Sequence, residues 1–153
     1  MQEHHKAFME KSLDLARYSY SINEVPVGAI VTLDNKIIGE GFNSVITKNS
    51  PIYHAEINAI NMACSTIRNF RLVNCVMYVT LEPCHMCAKA IIDARIDKVY
   101  FAAREPKTGS IVSIDNFFEK EYLNHHVAYE EGMMMKESSK LLKNFFSELR
   151  NKD

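Results

Sequence analysis

Between residues 5 and 20, Met9, Leu13, Ala16 and Tyr20 recur at helical spacing among charged positions, which predicts an amphipathic helix. Glu24-Val25-Pro26 ends that segment. Val27–Leu33 is then a short apolar run with β-branched residues. Lys36–Gly41 reads as its partner strand, and Asp34-Asn35 between them suits a tight hairpin turn. Asn43–Tyr53 is polar and reads as a loop. A second helix begins at His54 and carries Ile57, Ile60 and Cys64 on one face. Cys75–Leu81 has the continuous apolar character of a buried strand.

Pro83 suits the first turn of a third helix, because its missing N–H costs little there, and that helix should reach about Ala94. Lys98–Ala102 reads as another strand and Arg104–Ser110 as a loop holding Pro106 and Gly109. Residues 111–125 give no clear period beyond a short helix near Asp115–Phe118. Val127–Glu130 reads as a last strand. Met133–Arg150 reads as a terminal helix with Leu141, Leu142, Phe145, Phe146 and Leu149 along one side. Strands alternating with helices imply a layered α/β domain. No linker, repeat or composition break divides it, so residues 1–153 read as one domain.

The chain has 153 residues, 47% of them hydrophobic, enough for one real core. No stretch is long and apolar enough to cross a bilayer. The start, Met1-Gln2-Glu3-His4-His5-Lys6, lacks the apolar core of a secretion signal, so a cytoplasmic location is the expectation. A reducing compartment leaves Cys64 and Cys75, which lie in apolar segments, as buried thiols. The net charge of −1 announces no global attraction to nucleic acid, although a local basic patch remains compatible with it.

The candidate chemistry sits at His54-Ala55-Glu56 and Pro83-Cys84-His85-Met86-Cys87. Cys84 and Cys87 are three apart at a helix start, where free N–H groups and the helix dipole favour thiolates. His54, at the start of another helix, supplies a third Zn²⁺ ligand. Three protein ligands leave the fourth position of a tetrahedral zinc open to water, as in catalytic sites. Glu56, two residues from His54, cannot share its stripe on the helix and is better placed as a proton carrier. A Cys-x-x-Cys alone also fits a redox pair or half of a structural zinc site. His85 is the nearest fourth ligand but points off another face, and His125-His126 read as surface or loop residues.

His-x-Glu followed by Pro-Cys-x-x-Cys is the signature of zinc nucleobase deaminases. By itself it fits cytosine, guanine or cytidine as well as adenine. Over nearly its whole length the chain further resembles the bacterial tRNA-specific adenosine deaminases. The likeness is carried by Glu24–Ala29, Ile38–Gly41 with Asn43, and Pro51 with His54–Ile57. It continues through Asn69–Leu72, Tyr78–Cys84, Met86–Ala88 and Arg95-Ile96. The last stretches are Ala103-Arg104 with Lys107–Gly109, Asn124-His125, Glu131-Gly132, and Leu141-Leu142 with Phe145-Phe146.

The resemblance implies a three-layer α/β/α cytidine-deaminase-like fold with a central mixed sheet of about five strands. It also implies a homodimer that converts adenosine to inosine at wobble position 34 of a tRNA anticodon stem-loop. It implies one Zn²⁺ per subunit on His54, Cys84 and Cys87, Glu56 as proton shuttle, and Asn43 as the hydrogen-bonding partner of the flipped base. Val27 and the Ala55 backbone match pocket-wall positions. Arg104, Glu105 and Lys107 fall in the loop that meets the RNA. Lys140, Lys143 and Arg150 are further basic candidates, and Phe145 and Phe146 are either wall residues or part of the helix's buried stripe. The chain departs from the family at Glu105, where Asp is usual, at Lys89, where Gly is common, and at His85, where a small apolar residue is usual. A deaminase of free bases and a non-catalytic zinc domain that binds RNA or a partner remain the alternatives.

Overall fold

The structure is a computed structural model that describes residues 2–152; Met1 and Asp153, the outer limits of the expected domain, lie outside the described residues. In chain order the elements are α1 (Gln2–Ser21), β1 (Gly28–Leu33), β2 (Lys36–Phe42), α2 (Ala55–Ile67), β3 (Val76–Leu81), α3 (His85–Asp93), β4 (Lys98–Ala103), β5 (Ala128–Glu131) and α4 (Met135–Asn151), with a single 3₁₀ turn at Phe117–Glu119. The five strands form one mixed sheet in the order β2-β1-β3-β4-β5. β1 runs antiparallel to β2 and β3, while β3, β4 and β5 are parallel. The expected three-layer α/β/α fold is the observed one.

The hairpin between β1 and β2 turns where the sequence placed it. Asp34 and Asn35 both have positive φ, 51° and 61°, as a two-residue hairpin of matched twist requires. Alternation along the strands sorts the core into two layers. Ile30, Tyr78, Tyr100 and Ala102 face Met9 of α1. Ala29, Val31, Met77, Val79, Val99 and Phe101 face the other way, onto residues of α2 and α3.

Some boundaries differ from expectation for local reasons. Cys84 has an extended backbone and caps α3, so Pro83 lies outside the helix and not in its first turn. The final helix starts at Met135 because Gly132 and Met134 hold positive φ, which no helix continues through. Of its apolar stripe Phe145 is buried, while Phe146 and Leu149 keep 41% and 51% exposure. The face that α2 buries is led by Ala55, Ala59 and Ala63 beside Ile60, with Ile57 and Cys64 only partly covered. The reason lies across the interface. A Cβ on Gly39 would fall 2.3 Å from the Ala59 carbonyl oxygen, and one on Gly41 would fall 2.2 Å from that of Ala55. Backbone meets backbone there, so α2 rides unusually low on β2 and its N-terminus is held against the sheet.

Candidate active site

Two helix starts meet at one end of the sheet. His54 caps α2 and Cys84 caps α3, both with extended backbone and neither spending its side chain on the cap. Cys87 follows in the first turn of α3 and is fully buried. The ligand atoms of His54, Cys84 and Cys87 all lie within 4.8 Å of one another. His54 Nδ1 is 3.7 Å from Cys84 Sγ and 3.4 Å from Cys87 Sγ. Tetrahedral zinc, with Zn–S near 2.3 Å and Zn–N near 2.0 Å, places nitrogen and sulfur about 3.5 Å apart. The donor set therefore fits Zn²⁺ in both chemistry and spacing. His85 turns away and bonds Asp115 through Nε2 at 2.8 Å, so it is no fourth ligand.

The thiols are already biased toward ligation. The Cys87 thiol and the His54 ring face Cys84 and hold its pKa down at about 4. Cys87 is driven upward, because its neighbour already carries the charge and burial disfavours a second. Glu56 stands beside them at 4% exposure. Burial pushes its carboxyl up to about 7, against its own backbone amide and the His54 imidazole, which pull it down. A carboxyl poised there takes up and releases protons near neutrality.

These residues border a cavity of about 290 Å³, which His54, Ala55, Glu56 and Cys84 line from below and Val27 and Asn43 from the side. The backbone of Asn43 is pinned at both groups, its N–H donating to the Val27 carbonyl at 3.1 Å and its carbonyl accepting from Ser19 Oγ at 3.0 Å. Its side-chain nitrogen donates to the Val25 carbonyl at 3.3 Å. Asn43 Oδ1 is buried and has no partner among the described residues. An orphaned acceptor on a cavity wall is unfavourable unless a donor from water or a ligand completes it.

Two loops form the mouth. Val45 and Ile46 come from the segment after β2, and Glu105 and Thr108 from the segment after β4. Each loop is fastened to a buried glutamate that sequence reasoning gave no role. Glu24 Oε1 accepts from the Ile46 N–H at 3.1 Å, and Oε2 accepts from the Thr47 N–H and hydroxyl at 2.6 and 2.7 Å. Glu82 Oε2 accepts from the amides of Ile111, Val112 and Ser113 at 3.0, 2.8 and 3.0 Å. Its Oε1 accepts from the Glu105 amide at 3.1 Å and from the Ser113 hydroxyl. For Glu82 the available signal was a carboxylate that closes the apolar run Cys75–Leu81 and precedes Pro83; Glu24, which closes no apolar run, carries no such signal.

The remaining candidates lie further out. Arg104 is exposed and forks onto the Glu131 carboxylate at 2.7 and 2.9 Å. Lys107 is exposed, and its backbone N–H donates to Glu105 Oε1 at 3.0 Å. Phe145 packs edge-on to Tyr20 with Phe146 beside it, and neither borders the cavity. Lys89 pairs with Asp93 one turn along α3. Lys140, Lys143 and Arg150 sit on the exposed side of α4. His125 and His126 bond the carbonyls of Ile96 and Phe118, away from the ligand cluster.

Residues 2–103 match the family model described as the cytidine and deoxycytidylate deaminase zinc-binding region. The tRNA-specific adenosine deaminase of Haemophilus influenzae is 41% identical over 97% of this chain and 86% of its own. That of Aquifex aeolicus is 42% identical over 94% of this chain and 95% of its own. A solved structure from work on A-to-I editing by tRNA:A34 deaminases superposes with a TM-score of 0.86. It is 40% identical, covering 89% of this chain and 99% of that one. A guanine deaminase structure from Bacillus subtilis superposes less well, with a TM-score of 0.64 at 30% identity over 96% of this chain and 94% of that one.

Proposed function

This chain belongs to the cytidine and deoxycytidylate deaminase family, and from that premise we propose that it converts adenosine to inosine at wobble position 34 of a tRNA anticodon, releasing ammonia. The observation that carries the chemistry is the convergence of His54, Cys84, Glu56 and the unpartnered Asn43 acceptor on one cavity, with Cys87 completing the ligand cluster beside it. Relatives near 40% identity over almost the full chain supply the substrate class.

His54, Cys84 and Cys87 hold one Zn²⁺, which when bound supplies a Lewis acid that lowers the pKa of water toward neutrality. Glu56 does the proton work. Its carboxylate accepts a proton from the water that adds at adenine C6 and passes it to N1, then carries the remaining hydroxyl proton to the exocyclic N6. The C6–N6 bond then breaks, N6 leaves as ammonia, and the water's oxygen stays as O6 of inosine. Asn43 Oδ1 takes a donor from the flipped base, Val27 packs on its face, and the Ala55 backbone completes the wall. The low, buried seating of α2 keeps bulk water from Glu56 once a base fills the cavity.

Around this pocket, Arg104, Glu105 and Lys107 meet the anticodon loop, and Arg104 exchanges its Glu131 partner for phosphate. Phe145 acts by bracing α4 against Tyr20, with Phe146 beside it. A homodimer is supported by exposed apolar side chains on the α2 and α3 side, among them Met62 and Met86. The cytoplasm, where tRNA is found, is the site of action; among the described residues no helix is long and apolar enough to cross a membrane.

The test is incubation of the zinc-loaded protein with a tRNA bearing A34, followed by sequencing for A-to-I change. Inosine at position 34 is expected. Ammonia released from free guanine or cytosine with the tRNA unedited would assign the protein to base salvage instead. An anomalous-scattering map with a fourth protein ligand on zinc would assign it to the non-catalytic zinc domains.

A further inference from the structure

We propose that Glu24 and Glu82 are paired positioning residues that hold the two rim loops in the conformation that grips the RNA around its target base. The inference rests on the deaminase reading above and extends it from the chemistry to the grip.

Both carboxylates are buried, at 1% and 2% exposure, and neither forms an ion pair among the described residues. A buried anion without a cation is unfavourable unless hydrogen bonds replace its water. Here the replacements are almost all main-chain amides of the rim loops. Glu24 takes its donors from Ile46 and Thr47, beside pocket-lining Val45 and Ile46. Glu82 takes five donors from Glu105, Ile111, Val112 and Ser113, in the loop that offers Glu105 and Thr108 to the cavity.

The loop after β4 is shaped to this purpose. A Cβ on Gly109 would fall 2.3 Å from the Glu82 carboxyl carbon, so only glycine lets the chain close over it. Ser110 then ties the same loop to the Pro83 carbonyl through its N–H and its hydroxyl, at 2.9 and 3.0 Å. With every acceptor site of Glu82 taken, the carboxylate has no proton-transfer capacity to spare. Its effect on the reaction passes through Glu105 and Thr108. Glutamine cannot replace it, since an amide NH₂ would face N–H donors that need an acceptor.

Full-length zinc-loaded wild type, E82Q, E24Q and S113A are compared in deamination of the A34 tRNA, with amide hydrogen exchange on the same samples. In E82Q, KM rises about tenfold while kcat changes less than about threefold, the pattern of lost binding and not lost chemistry. Exchange accelerates at Glu105 and Ile111–Ser113 and not at Ile46-Thr47; E24Q reverses that pattern. S113A, which keeps the charge and removes one donor, moves KM the same way by about threefold. It carries the test if E82Q does not fold. A fall in kcat with KM unchanged overturns the proposal, as does faster exchange throughout the molecule or an unchanged KM in S113A. An unedited tRNA with wild-type enzyme instead marks failure of the deaminase reading, and the loop-specific exchange still reports on the two carboxylates.

Discussion

Buried Glu56 at the floor of the pocket and buried Glu82 at its rim are driven opposite ways. At the floor, burial raises Glu56 to about 7. At the rim, burial also works to raise Glu82, but the Ser113 hydroxyl and the amides of Val112, Ser113 and Glu105 outweigh it, and the net shift is downward. One carboxyl is left hungry for a proton and the other is saturated with donors. Burial alone therefore says little about role. The donor supply separates a group that moves protons from a group that holds backbone.

That contrast can be tested from its strongest consequence to its weakest. Removing zinc with a chelator should abolish inosine formation, and adding Zn²⁺ back should restore it, as measured by sequencing of the A34 tRNA. Glu56→Ala should lower turnover about 10²- to 10⁴-fold while metal analysis finds the zinc retained. Full turnover in that variant would end the proton-shuttle role and, with it, the distinction between the two glutamates. Gly41→Ala probes the floor from behind. The new Cβ meets the Ala55 carbonyl, and denaturant melts should show a loss of about 1–3 kcal/mol with weaker zinc binding. Arg104→Ala acts only at the rim. It should leave the melting curve nearly in place while weakening RNA binding and flattening its salt dependence. Lys89→Ala, whose partner Asp93 lies on the outer face of α3, should change neither melting nor turnover.

The floor was legible in the sequence because its chemistry is local. His54-x-Glu56 and Cys84-x-x-Cys87 each lie within one helical turn, and their residue types name the metal. The hairpin at Asp34-Asn35 was legible for the same reason, and Cys75–Leu81 was legible as a buried strand, although its continuous apolar run did not tell which side chains face α1. The rim was not. Glu82 reaches donors 23 to 31 residues away, and its place between an apolar run and Pro83 says nothing of what those donors are. The helix α2 misled in a different way. Of the larger residues that suggested its buried face only Ile60 is buried; the alanines lead that face, because Gly39 and Gly41 bring the helix backbone too close for more. Pro83 was misplaced by one step of the cap: Cys84 takes the capping position and shifts the proline outside the helix.

The glycine–alanine seam between β2 and α2 also bears on how this chain can change over time. An outermost strand is ordinarily where a sheet accepts substitutions most freely, since half its backbone faces no neighbour. Here Gly39 and Gly41 already carry the smallest side chain there is, so a larger residue opposite them cannot be answered by shrinking anything. Drift along that strand has no second-site rescue available within the seam. A saturation scan should accordingly find the lowest tolerance of the sheet at its margin, at Gly39 and Gly41, with the buried centre at Val79 and Phe101 accepting more apolar exchange.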